Sequence, residues 1–578
     1  MTSSPGSDFS LDEEQRAAVQ ATEAAIAVLA GPGSGKTRTL SFRARYLLAA
    51  DPQAHALLLT FTNKAAAEMK ARALSASAPS ARLSASTFHT FCVDVLRAHG
   101  ELVGVLPDFE ILDEEGAREL ADQAKVATSL PNYRREWSDA RLRRLDPEPR
   151  VQRFGEAFQA LKAAEGVVDF DDLVVAVATL FAAQEAIVQA YADKYQHVLV
   201  DEFQDTNAVQ SVIVRALATY AKTVSIFADD DQAIFGFAGA EAANIARFIE
   251  ASGAKVYPLT VNYRSGEAIV EVANRLIAAS PSASRRTMRA HRAGGSVELL
   301  EFATLEAEAA AISSSVAGLI AGKVPPSEIA ILVRSGWRAK LIVESLNTRG
   351  IPVSDWRGET FTPQDRRLLT ACLSVIRGLL NARQAATLCK LIGIEPVGRV
   401  ESEDFLKAHA ANPFIAGLSA MKDIVFAGAS PHTIAQAAQA AVLTLDAELG
   451  ASLDGVVESI ANFELYDREF TLEHLLSELA LGSIGRPPTE GGGVKVASLH
   501  RTKGLQWRHV FLVGLEESHH PDRRSVSAED LAEELRLCFV GVSRAENHLS
   551  VTWSRTSGEY GRSPSRFLGH MALTRRTP

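Results

Sequence analysis

Cysteine is scarce in this chain: four in 578 residues, Cys92, Cys372, Cys389 and Cys538. They are scattered and form no Cys-x-x-Cys pair, so neither a disulfide framework nor a structural zinc site is expected. Long apolar runs are missing too. No stretch reaches the roughly 18 apolar residues that a membrane helix needs. The N-terminal MTSSPGSDFSLDEEQ has no basic segment followed by an apolar one, so no secretory signal is read and a cytoplasmic protein is expected. Proline is limited to 22 residues while 47% of the chain is hydrophobic, which excludes a disordered or fibrous class. Excess positive charge is also absent. Lys and Arg number 60 against 70 Asp and Glu, a net of −10, so the total charge does not point to nucleic acid.

The length exceeds what one core can serve, so several domains are expected. The charge is unevenly spread. Glu401–Glu490 holds 14 acids and 4 bases, while Tyr133–Arg153 carries seven arginines against four acids. Arg285, Arg286, Arg289 and Arg292 form a second basic group. Each basic group is either a polyanion-facing surface or an ordinary solvated face.

Two segments carry chemistry. AIAVLAGPGSGKTRTL (Ala25–Leu40) is an apolar run, then a glycine-rich turn, then Lys-Thr. The run suits a buried parallel strand. Gly31, Gly33, Ser34 and Gly35 let backbone N–H groups curl around phosphates, Lys36 reaches the outer phosphates, and Thr37 can ligate Mg²⁺. Ala30 stands where the first glycine of such a loop is usual. HVLVDEFQDT (His197–Thr206) ends a second apolar run in adjacent acids. Asp201 suits Mg²⁺ and Glu202 suits the attacking water, because neighbouring positions on an extended chain point different ways.

Further segments follow in order: FSLDEEQRAAV (Phe9–Val19), LLLTFTNKAAAEMKAR (Leu57–Arg72), ASTFHTFC (Ala85–Cys92), SIFADDDQAIFGFAGA (Ser225–Ala240), LTVNYRS (Leu259–Ser265), VKVASLHRTKGLQWRHVFLVGL (Val494–Leu515) and EELRLCFVGVSRAENHL (Glu533–Leu549). With the two above, they resemble the nine motifs of the UvrD/Rep-type DNA helicases of superfamily 1. The resemblance implies an α/β protein: two RecA-like phosphate-loop NTPase motor domains with two mainly helical inserted accessory subdomains. It divides the chain into a first motor domain (1–88 and 191–262), a first accessory insertion (89–190), a second motor domain (263–355 and 494–578) and a second, acidic insertion (356–493). The last of these ends in a linker-like GRPPTEGGG.

The resemblance also assigns roles. Gln15 and Tyr263 would hold adenine, Gln232 would sense the γ-phosphate, and Arg264 and Arg544 would act as arginine fingers. Arg38 would support the nucleotide and Gln506 the ribose. Phe61, Asn63, Thr87, His89, Phe235, Phe237 and His500 would bind single-stranded DNA. ATP and Mg²⁺ are the implied substrate and ion, and single strands and strand junctions the implied partners. The implied activity is 3′-to-5′ translocation with unwinding.

Two departures stand out. IFGFAGA replaces the family's IYGWRGA, so Phe237 and Ala238 stand for Trp and Arg, and weaker single-strand affinity is expected. KGLQ replaces KGLE at Gln506, whose carbonyl oxygen can still accept a bond. The net charge of the second insertion fits duplex phosphates poorly, so a regulatory or partner-binding lid is expected there. That leaves a second reading, a partner-dependent translocase that displaces proteins from DNA with little unwinding of its own. A third, another phosphate-loop enzyme such as a kinase, lacks any small-substrate signature.

Overall fold

The computed structural model describes residues 11–74, 82–107, 109–236, 239–241, 243–280, 286–354, 362–466, 471–480, 492–558, 560–573 and 575–576. Two parallel sheets organise them. In the first, the strands lie in the order Leu83–Thr87, Ala56–Thr60, His197–Val200, Thr223–Ala228, Ala25–Ala30 and Lys255–Leu259, with every neighbour parallel. The central strands are near-continuous apolar runs, as strands covered on both faces must be, and their residues are almost all buried. Strand Thr223–Ala228 lies between His197–Val200 and Ala25–Ala30. Their carboxyl ends therefore bring Asp201, Asp229 and Gly31 to one edge, where open α/β sheets place ligands.

The second sheet runs Val353–Ser354, Val494–Ser498, Ile329–Val333, Trp507–Val513, Ala545–Ser557, Ser296–Thr304 and Arg575–Arg576, all parallel, with the short Tyr560–Gly561 added antiparallel to the end of Ala545–Ser557. Long crossovers are what parallel pairing requires. The chain uses two of them, one in each sheet, to carry the insertions.

In the first insertion, helices Glu114–Thr128 and Pro149–Glu165 pack Leu120, Phe154 and Phe158 into a small separate core. The flanking helices Phe88–His99 and Phe170–Ala183 instead give Val95, Leu173 and Val177 to the core of the first sheet. The second insertion is mainly helical, with its own core around Leu369, Leu388, Phe414 and Leu475. Residues 485–491 of the linker-like stretch lie outside the described residues. Arginines of this insertion face acids of the first. Arg367 pairs with Asp113 at 2.9 Å and Glu115 at 3.3 Å, and Arg383 pairs with Glu165 at 2.7 Å and Glu119 at 3.1 Å. Its last described helix, Leu472–Ala480, places the buried Glu478 carboxylate 2.9 Å from the Thr90 hydroxyl. No single described helix is long and apolar enough to cross a membrane.

Candidate active site

The glycine-rich loop leaves strand Ala25–Ala30 and ends at Gly35, which caps helix Lys36–Ala50 with left-handed backbone. A helix start with free N–H groups is an anion site by construction. Gly33 has φ +70°, and a Cβ there would stand 2.7 Å from the Cβ of Arg264. The loop is thus braced against segment 261–264: the Asn262 side-chain amide donates to the Pro32 carbonyl (2.8 Å) and the Tyr263 N–H to the Gly33 carbonyl (2.8 Å). Gln15 is buried, and its amide donates to the Ser34 carbonyl at 2.9 Å. The Gln15 carbonyl oxygen accepts from the Asp12 N–H within the capping box that starts helix Glu13–Gln20. Tyr263 donates its hydroxyl to Asp12 and packs against His291, with ring centroids 4.7 Å apart. Arg38 lies over the Phe42 ring at 5.6 Å.

Lys36 lies 2.5 Å from Glu202 and 3.6 Å from Asp201. Burial works against its ammonium, but these two carboxylates outweigh it and hold the proton more tightly than usual. Burial raises Asp201, with Lys36 opposing. Burial also acts on Glu202, yet Lys36 and Lys503 outweigh it and hold that carboxyl well below the usual range. Glu202 carries φ +51°, left-handed backbone that a non-glycine residue keeps only where surroundings enforce it. Asp201 is buried, and its Oδ1 accepts no hydrogen bond. That oxygen faces the Lys36 ammonium at 3.6 Å, and the hydroxyl of Thr37, the second residue of the helix, is a further hard oxygen donor of the kind Mg²⁺ takes, so these residue types fit the ion.

Residues beside the second sheet, and strand Val261–Gly266, which pairs with Arg289–Arg292, close the cleft. Arg544, buried at 1% exposure, donates to the Gln232 side-chain oxygen at 2.7 Å and to the Leu505 carbonyl at 3.0 Å. Burial and the like charge of Arg264 both work against its guanidinium. Arg264 donates to the Gln506 side-chain oxygen at 2.7 Å and to the Ser543 carbonyl at 2.9 Å. Lys36, Asp201, Glu202 and Gln232 thus meet Arg264, Gln506 and Arg544 around one cleft.

A family model for the UvrD/REP helicase N-terminal domain matches residues 11–252, and one for the UvrD-like helicase C-terminal domain matches 257–404 and 450–556. The chain belongs to the UvrD/REP helicase family. Among its relatives, ATP-dependent DNA helicase PcrA of Staphylococcus epidermidis (strain RP62A) is 28% identical, over 96% of this chain and 86% of the relative. PcrA of Staphylococcus aureus (strain Mu50) is also 28% identical, with the same coverage.

In this UvrD/REP chain the candidate DNA residues are spread over both sheets. Phe61 packs on Phe88, with ring centroids 5.7 Å apart, and His89 meets Phe170 edge-on at 5.7 Å. The Thr87 hydroxyl caps helix Phe88–His99. Asn63 opens helix Asn63–Leu74. Phe235 is half-buried beneath Lys503, 5.2 Å from its ring centre. His500 is pulled down to about 4 by burial, helped by Arg334. Phe237 and Ala238 lie outside the described residues.

Sequence reasoning missed Lys503 and Gln204. The Lys503 ammonium crosses the cleft to both Asp205 oxygens (2.7 and 2.5 Å) and to the Gln232 carbonyl (2.7 Å). The fully buried Gln204 donates to Glu202 and accepts from the Asp229 N–H at 2.9 Å. Both sit inside quoted motifs, which was the available signal. Of the basic residues at 286–292, Arg286 is largely buried and pairs with Asp230, while Arg289 and Arg292 are exposed, Arg289 beside Glu14 at 3.3 Å and Arg292 donating to the Arg264 carbonyl at 2.6 Å.

Proposed function

We propose that this protein is an ATP-dependent DNA helicase that moves 3′ to 5′ along single-stranded DNA and separates duplex ahead of it. What supports this reading is one cleft that gathers a phosphate loop and an acid pair at the edge of the first sheet with Arg544, beside the second sheet, and Arg264, on strand Val261–Gly266. In this reading the loop amides and Lys36 cradle the ATP phosphates while Gln15 and Tyr263 bound the adenine side. Mg²⁺, held by Thr37 and Asp201, would offset phosphate charge as ATP is cleaved. Glu202 orients the attacking water and takes its proton. Arg264 and Arg544 approach with the second motor domain and stabilise charge on the transferring phosphoryl group. Arg264 would exchange Gln506 for phosphate, freeing that amide for the ribose. Gln232 links Arg544 to the segment that leads to Phe235 and Phe237. Single-stranded DNA lies across Phe61, Asn63, Thr87, His89, Phe235, Phe237 and His500, by base stacking and phosphate contacts.

A second reading is favoured by the ion pairs between the two insertions. Here the second insertion is a lid, and a protein partner on its acidic side releases unwinding. Displacement of a labelled strand from 3′-tailed and 5′-tailed duplexes separates the cases. Displacement from the 3′-tailed duplex alone is expected. A preference for 5′ tails overturns the direction, and ATP-driven movement without displacement supports the partner-dependent reading.

A further inference from the structure

Gln232–Gly236 leaves the first sheet at the end of strand Thr223–Ala228, yet its contacts belong elsewhere. Ile234 is fully buried in the hydrophobic core of the second motor domain, with Leu535 and Phe539, and Phe235 packs against the same cluster. The backbone just before Ile234 is held by two cations. Lys503 takes the Gln232 carbonyl at 2.7 Å, and Arg536, from helix Ala528–Val542, takes the Ala233 carbonyl at 2.7 Å. The same helix supplies Glu533, whose carboxylate lies against Gly236. A Cβ at Gly236 would lie 2.3 Å from a Glu533 oxygen, so glycine is what lets that carboxylate reach the strand of backbone. On the far side, Arg143 ends helix Arg134–Arg143 of the first insertion and donates to the Gly236 carbonyl at 2.8 Å, its Nε paired with Asp139.

We propose that Gln232–Gly236 is a strap seated in the second motor domain and tethered to the first insertion, with Arg536 and Arg143 as positioning residues for the base-stacking segment. Charge-assisted bonds to carbonyls fix backbone more firmly than side-chain contacts to an aromatic ring would. Movement of the second motor domain over ATP therefore drags Phe235 by the backbone, against a fixed point at Arg143. The inference rests on the helicase reading and adds the parts that transmit motion to DNA.

The test uses the full chain and compares R536Q, R536K and R143Q with the parent in ATP hydrolysis, with and without saturating oligo(dT). R536Q and R143Q are each expected to cut stimulation by oligo(dT) about tenfold, with basal rate and KM for ATP within about twofold. R536K, which keeps a long, charged donor for the carbonyl, is expected to recover most of it. The salt slope of oligo(dT) binding is expected to stay that of the parent in R143Q. Stimulation within about twofold of the parent in either Gln variant overturns the strap. So does a parallel fall of basal and stimulated rates, which would mark general destabilisation. A salt slope shallower by about 0.7 in R143Q would make Arg143 a phosphate contact instead of a positioning residue. If the parent itself is not stimulated by oligo(dT), it is the helicase reading that fails.

Discussion

Replacing Lys503 with Met should weaken cleft closure more than any single change at the protein surface. Its ammonium stands 2.7 and 2.5 Å from the two Asp205 oxygens, and the two side chains are 11% and 3% exposed. At an effective dielectric near 20, unit charges at this separation attract by about 6 kcal/mol. Desolvating both ions returns half or more of that, leaving a coupling of about 2–3 kcal/mol. Lys503 follows a strand of the second sheet and Asp205 a strand of the first, so the loss falls on closure and not on the folding of either domain. A shift of 2–3 kcal/mol changes the closed fraction about 30- to 150-fold. Lys503→Met and Asp205→Asn should each slow DNA-stimulated hydrolysis, and the double variant should be faster than the sum of their effects predicts. The assay is a double-mutant cycle on kcat, with fluorescence transfer between labels on the two motor domains reporting closure. Additive effects, with coupling below about 0.5 kcal/mol, would refute the cross-cleft role.

Other outcomes are expected. Ala238→Arg restores a phosphate donor beside the stacking segment, so single-strand affinity should rise and the salt slope steepen by about 0.7; unchanged affinity and slope in a filter-binding titration would contradict this. Burial pulls His520 from 6.5 down to about 4, with Glu534 opposing. The unfolded chain therefore binds a proton below pH 6.5 that the folded one refuses, and about 3 kcal/mol is lost as pH falls through that window. Thermal melts between about pH 7.5 and pH 4.5 should fall less steeply for His520→Gln; parallel curves would refute it. Arg367→Gln with Arg383→Gln removes ion pairs that are partly exposed, worth about 1 kcal/mol together. The two insertions should separate more readily, as high salt also makes them do, and fluorescence transfer between them should drop; an unchanged signal in both conditions would count against the clasp.

The chemistry at the sheet edge was legible because each motif packs its acting residues into a few consecutive positions at a strand end. Lys36, Asp201, Glu202, Arg264 and Arg544 could be read from Ala25–Leu40, His197–Thr206 and the later segments, and they converge in the fold. Pairings made only by tertiary contact were not legible. Lys503 and Asp205 are 298 positions apart, and nothing local to either announces the other. Composition left two features out. The acidic sum over 401–490 says nothing of Arg367 and Arg383, which lie just outside that window and face the acids of the first insertion. Arg286 looked like part of a basic patch, but it is paired with Asp230 at the end of strand Thr223–Ala228. The place of Ile234 in the core of the other motor domain depends on how the two sheets meet, which no local pattern announces.

The central claim is that the cleft hydrolyses ATP through Glu202 under the control of single-stranded DNA. Steady-state hydrolysis should be measured with and without oligo(dT), in the parent and in Glu202→Gln, with nucleotide binding followed in parallel. Strong stimulation of the parent, lost in a variant that still binds ATP, is the predicted result. Hydrolysis indifferent to DNA, or a variant as active as the parent, would contradict the account.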